Sequence, residues 1–291
     1  MNMLFIVGTG RCGSTLVQEV IAKHEHCGFV SNVEDNVPYL NTLGRWNNAL
    51  YRSFLGEHTA KGGLRFAPSE AYQLLSKEVS PIYANSERDL LAEDVTTWLE
   101  KRFQDFFARR SAAQERPIFL HKYTGWPRIR FFARIFPQAK FIHVIRDGRA
   151  VANSWLQMDW WQGYRGPDHW QWGPLSPAHR QEWEESGRSH VVLAGICWKM
   201  LMESFHAAQS ALPAGQYLQL RFEDIVEAPR KHFEQMLDFA GLPWNESFER
   251  GFVRQAFRLD RRRAFEKDLS TEQLQALERS LALLLARYNY Q

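Results

Sequence analysis

The chain has 291 residues, of which 45% are hydrophobic and 14% aromatic, and its formal net charge is +3. This composition predicts a folded globular protein and excludes an intrinsically disordered one. The small positive charge disfavours a nucleic-acid partner and is compatible with a local site for an anion.

Cysteine usage and the N-terminus indicate the compartment. Cys12, Cys27 and Cys197 are too few and too scattered for a disulfide framework, which favours a reducing environment. The apolar stretch at residues 3–7 is too short for a signal peptide, and no apolar run approaches the ~18 residues of a membrane span. We therefore expect a soluble cytoplasmic protein without a transmembrane segment. Nothing in the sequence indicates an oligomeric state.

Strands and helices alternate along the predicted chain. Apolar runs predict strands at about 3–8, 27–34, 117–120, 140–145 and 216–222. Helical spacing predicts helices at about 14–23, 129–136, 147–157 and 188–211, then two or three C-terminal helices. Such alternation predicts an α/β fold of three layers, with a mostly parallel sheet between helices. We expect one domain, 1–291, with a helical insertion at about 37–113 and an aromatic loop at about 156–186.

The segment "LFIVGTGRCGSTL", residues 4–16, predicts an anion site near the N-terminus. A strand, a glycine-rich loop and a helix in this order direct backbone N–H groups and a helix N-terminus at an anion. Glycines permit the positive φ angles that such a loop needs. Arg11 adds a guanidinium suited to a tetrahedral oxyanion, and Ser14 and Thr15 add hydroxyl donors.

The loop by itself leaves the ligand open. Its glycines fit the dinucleotide pattern G-x-G-x-x-G, and Glu34 lies about 20 residues downstream, where a ribose-binding acid would sit. Residues 8–15 also fit the P-loop pattern of kinases, with Asp147 as the magnesium ligand, except that Ser14 replaces the lysine. An NAD(P) oxidoreductase, a nucleotide kinase and a non-catalytic nucleotide-binding protein are thus alternatives.

A second anion site is predicted at "FIHVIRDGRAVANSW", residues 141–155. Arg146 stands at the carboxyl end of its strand, where open α/β sheets bind their ligands. Ser154 follows eight residues later, about two helical turns on. Both side chains can approach one anion only if the chain bends between them.

Together, the two motifs resemble the sulfotransferases that use 3′-phosphoadenosine 5′-phosphosulfate (PAPS). The resemblance implies a P-loop-like sulfotransferase fold in which a loop without lysine binds the 5′-phosphosulfate, which accounts for Ser14. The resemblance implies that the 5′-phosphosulfate is bound by Gly10, Arg11, Cys12, Gly13, Ser14 and Thr15. It implies that the 3′-phosphate is bound by Arg146 and Ser154.

Two further segments carry the same resemblance. "HKYTGWPRIRFFARIFPQAKFIHVIRD" is similar to the family segment that places a lysine, here Lys122, near the transferring group. "YLQLRFEDIVEAPRKHFEQMLDFAGLPWNE" is similar to the strand and helix with the family's RYEDL motif, with Phe222 in place of the tyrosine. The basic stretch Arg261–Arg263 is left out of the predicted site.

The resemblance implies in-line sulfuryl transfer from PAPS without a metal ion. Arg11, Lys122 and the loop amides would stabilise charge on the leaving nucleotide. Glu34 is the first candidate for the base that takes the acceptor proton, and Asp35 and His121 are alternatives. "KHEHC", residues 23–27, has no partner cluster that would complete a metal site.

The acceptor is expected to be a carbohydrate or another small molecule with a hydroxyl group. This expectation rests on residues 155–177, which hold five of the eleven tryptophans. Indole rings stack on sugars and on other planar groups. Packing beneath a long loop explains the same residues.

Overall fold

The computed structural model describes residues 1–53, 64–84, 86–257 and 263–290. Its centre is a five-stranded sheet in the order β2-β3-β1-β4-β5. The strands are β1 (Asn2–Gly8), β2 (Cys27–Gly28), β3 (Ile118–Thr124), β4 (Lys140–Ile145) and β5 (Tyr217–Arg221). All four pairings are parallel, so the predicted mostly parallel sheet is confirmed.

The helices of the described residues flank this sheet and are numbered in chain order. They are α1 (Ser14–Ile21), α2 (Asn32–Asn36), α3 (Asn47–Arg52), α4 (Tyr72–Glu78), α5 (Thr97–Gln114), α6 (Ile129–Ile135), α7 (Gly148–Leu156), α8 (Pro177–Glu185), α9 (His190–Ser210), α10 (Phe222–Glu227), α11 (Pro229–Ala240), α12 (Glu246–Phe252), α13 (Phe265–Asp268) and α14 (Thr271–Arg287).

The two faces of the sheet bury different side chains, since successive residues of a strand point to opposite sides. Along β1, Phe5 and Val7 enter a core shared with α4, α5 and α6. Leu4 and Ile6 enter a second core, shared with α1, α11 and α12. The expected three-layer α/β arrangement is therefore confirmed. A third core joins α7, α9 and α14 beside the sheet.

Three predicted elements differ from the structure. The strand expected at 27–34 is limited to Cys27–Gly28, because the Ser31 hydroxyl accepts a hydrogen bond from the Glu34 amide and starts α2 instead. β3 continues to Thr124 because its polar end pairs with β1. Five described helices follow β5, where two or three were expected.

The predicted helical insertion contains helices, and the predicted aromatic loop holds more regular structure than expected. The insertion at 37–113 contains α3, α4 and most of α5, and its residues 54–63 and 85 lie outside the described part of the chain. The segment at 156–186 is not entirely loop, because α8 occupies its end. Ser176 caps that helix by accepting a hydrogen bond from the His179 amide.

Helix α9 is long and apolar enough to cross a membrane, although no such run was predicted. Of the most apolar stretch of this helix, 67% is buried inside the protein. Its buried side chains pack with those of α7 and α14 in the third core. Packing within the protein accounts for the apolar character of α9.

Candidate active site

An open pocket of about 520 Å³ lies where β1, β3 and β4 end. Most of the predicted donor-binding residues line it, although they come from distant parts of the sequence. These are Gly10, Arg11, Gly13, Ser14, Thr15, Lys122 and Arg146. Parallel strands place their carboxyl ends at one edge of the sheet, and this is why the loops after β1 and β4 meet.

The glycine loop has three residues in the left-handed region, with φ angles of 82° at Gly10, 55° at Arg11 and 91° at Gly13. Gly13 also contacts another segment closely. A Cβ atom there would lie 2.1 Å from Cδ2 of Phe222. Both its conformation and its packing therefore require glycine.

Two hydrogen bonds join the predicted anion sites. Arg11 Nε donates to Oγ of Ser154 at 2.9 Å, and Arg146 Nη1 donates to the carbonyl oxygen of Arg11 at 3.0 Å. The Arg146 guanidinium also lies over the ring of Phe222, 5.1 Å from its centroid. Ser154 does not itself line the pocket, but Arg11 connects it to the loop.

Lys122 reaches the pocket from β3 and connects it to α1. Its Nζ donates to Oγ1 of Thr15 at 2.7 Å and lies 2.8 Å from Oε1 of Glu70. Thr124 Oγ1 donates to the other oxygen of Glu70 at 3.1 Å. Sequence reasoning missed Glu70, because it belongs to no motif and lies within the helical insertion.

Glu34 lies elsewhere, in the protein interior. Its side chain is 1% exposed, its Oε1 accepts from Arg110 Nε at 2.8 Å, and its Oε2 accepts from Asn47 Nδ2 at 3.0 Å. Burial raises the pKa of Glu34, and the Arg110 charge opposes that rise. Because both oxygens have internal partners and neither lines the pocket, the geometry does not support Glu34 as the base.

Asp35 is also turned away from the pocket. Its two oxygens accept hydrogen bonds from the Leu74 amide at 3.0 Å and from Oγ of Ser69 at 2.9 Å. These contacts tie α2 to the segment that leads into α4. Asp35 is therefore placed to orient that segment.

His121 precedes Lys122 on β3 and consequently points to the opposite face. It is fully buried, and its Nε2 is 3.0 Å from the Tyr83 hydroxyl oxygen. Burial lowers the pKa of His121 to about 3, so the ring is neutral near pH 7. The geometry does not support His121 as the base either.

Cys12 and Arg263 do not line the pocket. The thiol of Cys12 is buried beneath the loop, where a Cβ atom on Gly8 would lie 2.5 Å from its Sγ. Of the basic stretch Arg261–Arg263, the first two lie outside the described residues, and Arg263 donates to Glu266 at 2.7 Å.

Within the described ranges, no group of three or more His, Cys, Asp or Glu side chains is placed to hold a metal ion.

The tryptophans of the aromatic loop divide between the pocket and the core. Trp155, Trp160 and Trp172 line the pocket together with Trp126. Trp161 is buried and stacks on Trp155 with centroids 6.0 Å apart. Four tryptophan side chains therefore line the pocket, while packing accounts for buried tryptophans such as Trp161.

A model of the sulfotransferase family matches residues 4–246, so the chain belongs to that family. The resemblance drawn from the two motifs is confirmed. Among curated relatives, the omega-hydroxy-beta-dihydromenaquinone-9 sulfotransferases Stf3 of Mycobacterium tuberculosis and Mycobacterium bovis are 20% identical over 267 residues. Each match covers 82% of this chain and 62% of the relative, so the chain spans less than two thirds of their length.

Solved sulfotransferase structures share the fold. Sulfotransferase STF9 from Mycobacterium avium is 13% identical with a TM-score of 0.60, over 99% of this chain and 77% of the other. The sulfotransferase domain of the Synechococcus PCC 7002 olefin synthase is 19% identical with a TM-score of 0.52, over 96% and 94%. The predicted sulfotransferase fold is thus confirmed.

Proposed function

We propose that this protein transfers a sulfuryl group from PAPS to a hydroxyl group of a small molecule. The observation that carries the proposal is the hydrogen bond between Arg11 and Ser154, which joins two anion-binding motifs in one site. A donor with a phosphosulfate at one end and a phosphate at the other needs two such motifs near each other. A kinase would use the second motif through Asp147 as a magnesium ligand, but the Asp147 carboxylate pairs with Arg149 and does not line the pocket.

The charge around the pocket supports an anionic donor. Four basic side chains and one carboxylate line it among the described residues: Arg11, Lys122, Arg128, Arg146 and Glu70. Such an excess of positive charge favours a multiply charged anion. It also stabilises the negative charge that develops on a leaving phosphate.

We assign the donor contacts by residue. The glycine loop with Arg11, Ser14 and Thr15 would hold the 5′-phosphosulfate, and Arg146 with Ser154 would hold the 3′-phosphate. Lys122, bonded to Thr15 at the start of α1, would face the oxygen that leaves with the nucleotide. The proposal includes no metal ion, because these cationic groups supply the electrostatic stabilisation.

The aromatic side chains that line the pocket suggest how an acceptor binds. Tyr72, Trp126, Trp160 and Trp172 present aromatic surface there. Such surface binds the faces of sugar rings and of planar or lipid alcohols. We propose a small-molecule acceptor, with carbohydrates and apolar alcohols as the two classes to compare.

Calorimetry and a transfer assay test the proposal. We expect adenosine 3′,5′-bisphosphate (PAP) to bind at least 100-fold more tightly than magnesium ATP or NAD. Labelled PAPS should then give a sulfated product with at least one acceptor from a panel of sugars, phenols, quinols and aliphatic alcohols. Tighter binding of ATP or NAD would favour the kinase or the oxidoreductase, and PAP binding without any transfer would favour a non-catalytic binder.

We further propose that the protein works in the cytoplasm. Cys12, Cys27 and Cys197 are all buried as free thiols, which suits a reducing compartment. Alkylation at the moment of cell lysis, followed by mass spectrometry of the unfolded chain, should label all three. Recovery of an oxidised pair would contradict this compartment.

A further inference from the structure

We propose that Glu70 is the base that accepts the proton of the acceptor hydroxyl, an inference that rests on the proposed function. Glu70 lies just before α4, and its carboxylate lines the pocket between Lys122 and Thr124. Its side chain remains 20% exposed, so an incoming molecule can reach it. Neither Glu34 nor His121 lines the same pocket.

Few of the side chains that line the pocket can act as a general base. Among the described residues that line the pocket, Glu70 carries the single carboxylate, and none is a histidine. The remaining ionisable groups there are arginines, Lys122 and Tyr72. A general base has to lie within reach of the proton it removes, and Glu70 meets that condition.

The surroundings of Glu70 keep it ionised. Burial by itself would raise the pKa of Glu70, but the Lys122 ammonium and hydrogen bonds from Tyr72 and Thr124 outweigh it, and the pKa lies below its usual range. Near neutral pH the group is therefore a carboxylate, which is the form that can accept a proton. Its two oxygens have different partners, Lys122 for Oε1 and Thr124 for Oε2.

A strained turn holds Glu70 in this place. The next residue, Ala71, has a φ angle of 55°, which is uncommon for a residue with a Cβ atom. Ser69 Oγ accepts from the Ala71 amide at 3.0 Å and donates to Asp35 Oδ2 at 2.9 Å. Asp35 Oδ1 also accepts from the Leu74 amide, so Asp35 positions the whole turn.

The step balances as an in-line displacement. The acceptor oxygen forms a bond to sulfur while the bond from sulfur to the bridging phosphate oxygen breaks. The acceptor proton passes to the Glu70 carboxylate, and PAP leaves with the electron pair of the broken bond. Lys122 lies between the base and Thr15 of the loop, where its charge stabilises the departing oxygen. Glu70 then releases its proton to solvent.

The test is Glu70→Gln, with Glu93→Gln as the matched control because the Glu93 side chain is 72% exposed, pairs with Arg130 across 3.4 Å and does not line the pocket. The probes are 1-octanol, whose hydroxyl needs a base, and 4-nitrophenol, which ionises near neutral pH by itself. We expect Glu70→Gln to lower kcat/KM with 1-octanol by about 10²–10⁴-fold. With 4-nitrophenol the loss should stay below about 10-fold. If the wild type sulfates neither probe, the fastest alcohol and the most acidic phenol that it sulfates in the acceptor panel replace them.

The outcomes separate the base from a structural role. A PAP dissociation constant within about 3-fold of the wild-type value shows that the donor site of Glu70→Gln is intact. Unchanged turnover of the alcohol would overturn the proposal. Equal losses with both acceptors would also overturn it, because Glu70 would then act only as the ion-pair partner of Lys122, a role that affects the two acceptors equally. A wild-type protein that binds no PAP or transfers no sulfate overturns the proposed function itself.

Asp35 provides a second test through the turn. Asp35→Ala should lower kcat at least 10-fold with PAP affinity unchanged. The variant removes the hydrogen bonds from Ser69 and the Leu74 amide that hold the turn containing Glu70. Asp35→Asn keeps an oxygen that can accept from the Leu74 amide, and we expect it to recover most of the loss. Equal kcat values for the two variants would contradict the positioning role.

Discussion

Arg11 and Ser154 lie 143 positions apart in the chain, and Arg11 Nε donates a 2.9 Å hydrogen bond to Oγ of Ser154. The loop after β1 thereby contacts the helix that follows β4. Arg146 strengthens the same junction through its bond to the Arg11 carbonyl oxygen. One ligand with two anionic ends can therefore contact both motifs.

Arg146→Ala should weaken PAP binding about 10–100-fold. A hydrogen bond to a charged group contributes about 1.5–3 kcal/mol, which corresponds to this range. Titration calorimetry at fixed ionic strength measures the effect, with Arg130→Ala as control since Arg130 pairs with Glu93 and does not line the pocket. Equal affinities for the two variants would remove Arg146 from the donor site.

Gly13→Ala should abolish measurable PAP binding. The added Cβ would meet the Phe222 ring at 2.1 Å and would impose a φ angle of 91° on alanine. Gly187→Ala is the matched control, because Gly187 has a φ angle of 70° but no atom within 4 Å of an added Cβ. We expect the control to lose about 1 kcal/mol of folding stability and no PAP affinity. Normal affinity in Gly13→Ala would show that the loop does not hold the donor.

Glu34→Gln should lower the free energy of unfolding by about 3 kcal/mol while kcat changes less than about 3-fold. Removing one partner of a buried ion pair leaves the other charge uncompensated. Glu78 remains 2.9 Å from the Arg110 guanidinium, which places the loss at the lower end of the usual range. Urea unfolding and turnover per folded molecule provide the measurements. A fully stable variant without turnover would restore Glu34 as the base, the role predicted from the sequence.

The protein should lose stability as the pH falls from about 6.5 towards 3. His121 and His143 are fully buried, and burial lowers the pKa of each to about 3, against about 6.5 in the unfolded chain. The unfolded state therefore binds more protons within this window, so the free energy of unfolding decreases with acidification. Urea midpoints at pH 7 and pH 5 measure the change. His143→Gln should show a smaller difference between the two midpoints, and an unchanged difference would exclude His143 as a source.

Trp160→Ala should raise the acceptor KM about 2–10-fold and leave PAP affinity unchanged. Trp160 lines the pocket and is 43% exposed, so it can contact an acceptor directly. Aromatic contacts contribute about 0.5–1.5 kcal/mol beyond area burial. Trp98→Ala serves as control because Trp98 is exposed on α5 and contacts Arg102 instead. Identical kinetic constants for the two variants would place the acceptor elsewhere.

The sequence by itself determined the fold class and predicted most of the donor-site candidates that line the pocket. Apolar runs predicted all five strands, although the second is shorter than expected, and the position of Arg146 at a strand end predicted its place at the edge of the sheet. The strands and the glycine loop depend on local periodicity and on glycine conformation. Both are determined by residues that are neighbours in the chain.

Only the tertiary structure decided which carboxylate faces the pocket. Glu34 and Asp35 follow the first helix, where a base was expected, yet their oxygens bind Arg110, Asn47, Ser69 and Leu74. Glu70 reaches the pocket because the path of a long insertion brings it beside Lys122. No local pattern encodes such a path, since it results from packing between segments that are distant in sequence.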